Sequence, residues 1–254
     1  TMFACSPGAR SVAVHHLPSA SLCGAHPSFD ADVVCAAVCE FGPADGARVR
    51  ALASTADGRL FRWDPTLPAG SEGSEPEELL SGSARTTVCA LRFVGPRLFG
   101  SECATLLLGK ADGEVLALDL ASRAPLPAFE LKWRADCSYG GVSALELLAG
   151  ATRAYGSCGP RLLLGYETGM VELVQLGNAM DRSASLHCLR VGEGCGPVRT
   201  LEVQFVGISL GAPERLAVWV GCNIEKANQS NGANFRCALW EICESIPEGG
   251  RGGE

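Results

Sequence analysis

One local pattern recurs along the chain and limits its fold more than any single residue does. Residues 56–64 read Ala-Asp-Gly-Arg-Leu-Phe-Arg-Trp-Asp, a turn followed by a short alternating run; residues 111–119 and 167–175 repeat it, and residues 234–241 give a looser copy. A fainter copy occupies residues 7–15. Aligned on Trp63, the copies fall at Val14, Trp63, Leu118, Val174 and Trp240, in steps of 49, 55, 56 and 66 residues. Steps this unequal describe one unit repeated with loops of varying length. A second apolar run, ending in a small residue, precedes each turn at residues 51–55, 105–109, 161–165 and 216–221. Two such runs around Asp-Gly or Thr-Gly predict a β-hairpin, because Gly takes up the positive φ that a tight reverse turn requires.

Upstream of each hairpin lies a third run, at residues 33–38, 87–94, 142–148 and 198–206, and fourth runs follow at 128–133 and 186–191. Four strands per unit, repeated, is the layout of a propeller blade. The expected fold is therefore all-β, a β-propeller of four-stranded antiparallel blades with about four full blades and a partial N-terminal one. It spans residues 1–247, with units near 2–26, 27–82, 83–136, 137–192 and 193–247. The Gly-rich residues 248–254 read as a disordered tail. Residues 67–78, rich in Gly, Ser, Pro and Glu, read as a mobile loop on one rim, and the polar residues 223–234 enlarge the last hairpin.

These residues resemble the WD-repeat family of β-propellers. Trp63-Asp64 matches the family's dipeptide at the end of the third blade strand, and Thr55 to Asp64 follows the form Thr-x-Asp-Gly-x-Leu-x-x-Trp-Asp. His26 stands 37 residues before Trp63, near the family's Gly-His pair, although Gly24-Ala25 precedes it here. The resemblance implies a buried hydrogen-bonded chain that locks the blade, with His26, Thr55, Asp57 and Trp63 as its members. The other units keep fewer of these positions: Asp112 and Asp119 in one, Trp240 in the last, and Leu118 and Val174 where Trp would stand. Propellers of this family close with six to eight blades. A chain of four and a half is accordingly expected either to be a fragment of a larger propeller or to have its open side filled by a partner strand or blade, since open edges invite aggregation.

Charge and chemistry narrow the function. The net charge is −7, and the 21 basic residues, only three of them lysines (Lys110, Lys132, Lys226), are scattered, so nothing would track a phosphate backbone and no nucleic-acid partner is expected. No apolar stretch reaches the 18 or more residues of a spanning helix, so no membrane insertion is expected. Thirteen cysteines, an odd count without a pairing frame, point to reduced thiols in the cytoplasm, with the nucleus as the other reducing compartment. The pair Cys35-x-x-x-Cys39 lacks the spacing and the partners of a zinc site, and His15-His16 would point to opposite faces of a strand. No nucleophile motif and no phosphate-cradling Gly-rich loop occurs, and Asp57 and Asp112 beside Gly are accounted for as turn residues. No catalytic residue, metal or cofactor is expected.

The expected role is thus a protein–protein interaction scaffold or adaptor subunit that binds through rims and loops, not an enzyme. A small-molecule or catalytic site in the axial channel is the alternative, but the first-strand starts Val33, Thr87, Val142 and Val198 are apolar or small. A condensation-regulator-like exchange factor for a small GTPase is another; those repeats centre on Trp-Gly, and no Trp here precedes Gly.

Overall fold

The computed structural model describes residues 3–7, 9–24, 27–41, 48–94, 105–120, 139–148, 161–175, 184–192, 195–205, 215–224 and 235–243. Their regular structure is β-strand apart from two single 3-10 turns, Leu17–Ser19 and Ala84–Thr86. The strands form five antiparallel sheets, each made of consecutive strands: β1 (Phe3–Pro7), β2 (Val12–His16) and β3 (Ser21–Leu22); β4 (Val33–Phe41), β5 (Arg48–Thr55), β6 (Leu60–Trp63) and β7 (Glu77–Leu80); β8 (Val88–Val94), β9 (Thr105–Lys110) and β10 (Val115–Asp119); β11 (Val142–Leu148), β12 (Arg161–Tyr166), β13 (Met170–Gln175) and β14 (Ala184–Arg190); β15 (Cys195–Phe205), β16 (Arg215–Ile224) and β17 (Phe235–Cys243). The all-β antiparallel expectation therefore holds, with sheets of three and four strands. The run at 128–133 and the tail 248–254 lie outside the described residues.

The hairpins follow from the turn residues. At the β5–β6 turn the amide of Gly58 donates to the carbonyl of Thr55 and the amide of Thr55 to that of Arg59. Gly58 has φ +90°, which is the three-residue loop closed by a left-handed residue. The β9–β10 turn repeats this bond for bond, with Gly113 at φ +85°, and Gly169 at φ +75° closes the β12–β13 turn. The repeat extends to irregularities. Register shifts between Val33 and Cys35 in β4 and between Val88 and Ala90 in β8, one extra residue at the same place in two successive sheets.

The chain divides into two compact units, Thr1–Leu145 and Glu146–Glu254. In the first, strand alternation gives the β4–β7 sheet two apolar faces. Ala51 and Ala53 oppose Trp63 and Phe61 across the hairpin and pack with Val12, Val14 and Phe29 of the preceding segment. Leu52 and Leu60 project to the other side and pack with Val88, Leu106, Leu108 and Leu118 of the next sheet. Small residues opposite large ones keep the layers close, and each fully buried leucine contributes about 1.5–3 kcal/mol. In the second unit, β12 packs against β15, and the amide of Val191 donates to the carbonyl of Gly169.

Residues 67–78 differ from the expected mobile loop. The amide of Asp64 donates to the carbonyl of Gly73, and Ser71 and Ser74 close successive turns through both amide and hydroxyl, leaving Ser74 buried. Glu77 and Glu78 belong to β7. A composition of Gly, Ser and Pro marks turns; here consecutive turns bond to one another and hold the segment in place.

Candidate functional site

Four of the site residues singled out in the sequence, Thr55, Asp57, Trp63 and Asp64, gather around the β5–β6 hairpin. Thr55, fully buried, donates its hydroxyl to Asp57 Oδ1 at 2.6 Å and lies 3.3 Å from the carbonyl of Arg59. The other oxygen of Asp57 accepts from Arg59 Nε at 2.7 Å. Chiefly the Thr55 hydroxyl, and then Arg59, hold the Asp57 carboxyl below the usual carboxylate range, although burial opposes them. Arg59 also reaches Asp30 at 3.6 Å and covers the ring of Phe61 at 5.2 Å. Phe61 and Trp63 in turn tilt against Phe29, with ring centroids 5.1 and 6.0 Å away.

Trp63 is 2% exposed, and its indole Nε1 is buried without a hydrogen-bond partner. The bonded chain thus runs from Thr55 through Asp57 to Arg59, and the indole nitrogen takes no part in it. His26 lies outside the described residues. Asp64, next along, is buried and accepts from Arg50 Nη1 at 2.6 Å and from the amide and hydroxyl of Thr66 at 3.0 and 2.6 Å. This pins the start of the loop that leads to β7.

The remaining positions lie in other sheets. Asp112 is exposed and accepts from the amide of Glu114 at 3.1 Å, the same turn bond that Asp57 makes with Arg59 at 3.5 Å. Lys110 and Glu114 form an ion pair beside it. Asp119 is buried at the end of β10, opposite Thr105. Trp240 stands in β17 opposite Val218, and its side chain lies outside the described residues. Two residues that the sequence did not single out, Arg50 and Arg59, complete the ionic contacts. Counting back from the turn sets Ala51 opposite Trp63 and so brings Arg50 level with Asp64, a signal available in the numbering once the hairpin is recognised.

These arrangements fix a turn and a loop start; they hold charges in place and leave exposed carboxylates beyond them at Glu72, Glu75 and Glu78. Among the described residues no cluster of three or more His, Cys, Asp or Glu side chains could hold a metal ion, and no helix is long and apolar enough to cross a membrane.

No family model matches the chain, and no curated protein matches it. Among solved structures, the chain is similar to the computationally designed Ika4 protein at 18% identity, over 70% of this chain and 87% of that one, with a TM-score of 0.42.

Proposed function

We propose that the chain is a run of WD-repeat-like blades of a β-propeller and that it serves as a protein–protein interaction scaffold. One observation carries this reading. In residues 1–145 successive antiparallel sheets share a hairpin of identical hydrogen bonding and bury aliphatic side chains between their faces. Stacking of this kind consumes the sheet faces for stability and leaves loops and strand edges for recognition. The segment from Glu72 to Glu78 fits that use: its turns are bonded, its carboxylates face water, and only Glu77 is neutralised, by Arg62 at 2.7 Å. A basic protein surface is the complement such an edge selects. Among the described residues, the free thiols of Cys23, Cys188 and Cys237 accord with a reducing compartment, the cytoplasm or nucleus.

The experiment is affinity capture with the intact chain followed by mass spectrometry, run beside a Glu72→Lys/Glu75→Lys/Glu78→Lys variant of unchanged melting temperature. A defined set of proteins retained by the parent and lost from the variant is expected. A variant that retains the same set in the same amounts overturns the role of this edge, and a parent that retains nothing above control overturns the scaffold.

A further inference from the structure

Within residues 1–145, two cysteines of successive sheets meet near the starts of their strands. Cys35 in β4 and Cys89 in β8 are both half-buried. Cys35 lies on the side of β4 that packs against the cluster of Leu52, Leu60, Val88 and Leu106. Strand alternation gives Cys89 the face of β8 that holds Leu91 and Phe93, and those two pack on the same cluster. The two thiols therefore face one another across the junction. Cys39, four residues further along β4, is about 13 Å from Cys35 and too far to compete.

Cys35 donates its thiol to the carbonyl of Val88 at 3.4 Å and lies 3.1 Å from Ser54 Oγ. That carbonyl belongs to the peptide leading into Cys89, so Cys35 Sγ stands within about 6 Å of the Cys89 Cα by chain geometry alone. Cys89 turns its own thiol to the carbonyl of Thr87 at 3.6 Å, a weak bond that rotation about one side-chain torsion gives up. The register shift between Val88 and Ala90 makes Cys89 the extra residue of β8, unpaired with β9 and able to move without breaking the ladder. A disulfide joins Cα atoms roughly 4.4–6.8 Å apart, a span these contacts allow.

Packing does not require these groups. At the next junction Ala90 and Gly109 hold the places of Cys35 and Ser54, paired in the same way after the same register shift. Ser54 thus adds a hydroxyl where the repeat folds without one. It donates to the carbonyl of Val88 at 2.5 Å, and by rotating it can donate instead to a thiolate on Cys35.

We propose that Cys35 and Cys89 are a redox pair, which hydrogen peroxide converts into a reversible disulfide between the two sheets. Cys35, as the thiolate, attacks one peroxide oxygen: an S–O bond forms, the O–O bond breaks, and the departing hydroxide takes up a proton to become water. Cys89 then attacks the sulfenic sulfur. The S–S bond forms, the S–O bond breaks, and the hydroxyl leaves as water with the proton that Cys89 gives up. Two thiols lose two electrons and two protons, and one peroxide becomes two waters. Ser54 is a positioning residue, which favours the thiolate of Cys35 by donating to it. The bond closes a loop of about 55 residues and staples β4 to β8, whatever the chain binds.

The test treats the intact, reduced chain with one equivalent of hydrogen peroxide, blocks the remaining thiols with iodoacetamide and maps unreduced digests by mass spectrometry. A Cys35–Cys89 link within one chain is expected as the principal disulfide, reversed by dithiothreitol, and the oxidised chain is expected to melt about 5 °C or more above the reduced one. Another principal pair, a link between two chains, or no disulfide at all overturns the proposal. Cys35→Ala with Ser54→Gly installs the pair that the next junction already carries; it is expected to fold, to form no link and to melt alike with and without peroxide. A peroxide-dependent rise in its melting temperature overturns the proposal, because the staple would then lie elsewhere. Ser54→Ala is expected to slow formation of the link about threefold at neutral pH, with the gap closing as pH passes the ordinary thiol value of about 8.5. Equal rates at every pH overturn the part assigned to Ser54, since a purely structural role would not follow thiol ionisation.

Discussion

A Cβ placed on Gly58 would lie 2.3 Å from the carbonyl oxygen of Ser83, so the turn of one sheet is closed over by the segment that opens the next. The same relation recurs where Gly113 faces the carbonyl of Gly140 at 3.2 Å and Gly169 faces that of Cys195 at 2.8 Å. Glycine is required at these turns for two separable reasons, the left-handed backbone and the missing methyl.

A graded alanine series separates them. Gly70 has φ +81° with nothing within 4 Å, so Gly70→Ala is expected to cost about 1 kcal/mol from backbone strain alone. Gly113→Ala should cost somewhat more, and Gly58→Ala about 3 kcal/mol or above, because carbonyl oxygen and methyl cannot share the space. Urea unfolding of the three variants checks the order, and equal losses would remove the steric half of the explanation.

Gly109 and Val142 make a second, side-chain test. Gly109→Ala is expected to destabilise by about 1–3 kcal/mol through overpacking against Cγ1 of Val142, and Val142→Ala to recover part of that loss when combined with it. A double-mutant cycle reads the coupling; strict additivity would mean that the two do not meet.

Trp63 gives a third. Because its indole Nε1 is buried and unpartnered, Trp63→Phe removes a donor that contributes no bond, and it should cost far less than Trp63→Ala, which is expected to lose about 3–5 kcal/mol. If Phe and Ala were equally damaging, the nitrogen would have to be bonded after all.

Asp57 sets the pH dependence. Its carboxyl is held below its ordinary value in the folded chain, so the unfolded chain binds the proton more readily. The stability it contributes is present above the unfolded value of about 3.9 and is lost as pH falls through the lower folded one. Asp57→Asn should therefore lie below the parent at neutral pH and converge with it in acid. The side chain is 39% exposed, so solvent screening keeps the difference modest, about 1 kcal/mol or less. A constant gap between the two chains down to acid pH would show that the Thr55 and Arg59 bonds do not depend on the charge.

The hairpins were legible because Asp-Gly between apolar runs has one economical backbone solution, and the structure has strands on both sides of residues 56–58, 111–113 and 167–169. The apolar run at residues 51–55 was likewise legible as a strand, whereas the packing of Ala51 and Ala53 to one side and of Leu52 to the other is supplied by the structure. Less was legible in residues 67–78. Their Gly, Ser and Pro content says that the chain turns, whereas the bonds from Asp64 to Gly73 and among Ser71, Ser74 and Pro68 depend on how successive turns meet. The lock around Trp63 was legible as a neighbourhood, not as a wiring diagram. Thr55 and Asp57 join as local spacing allows, but a rotation of the indole by a few tens of degrees decides whether its nitrogen finds a partner, and no spacing rule reports that.

Each of the five sheets is built from strands adjacent in the sequence. On a ribosome, where the chain emerges from its N-terminus, a sheet can pair as soon as its last strand clears the exit tunnel, before residues far downstream exist. Within residues 1–145 the finished face, with Leu52 and Leu60 displayed, then meets the next segment to emerge, Val88 and the strands after it. Synthesis itself supplies the order of assembly, and a pause between two sheets would leave a leucine face waiting in water.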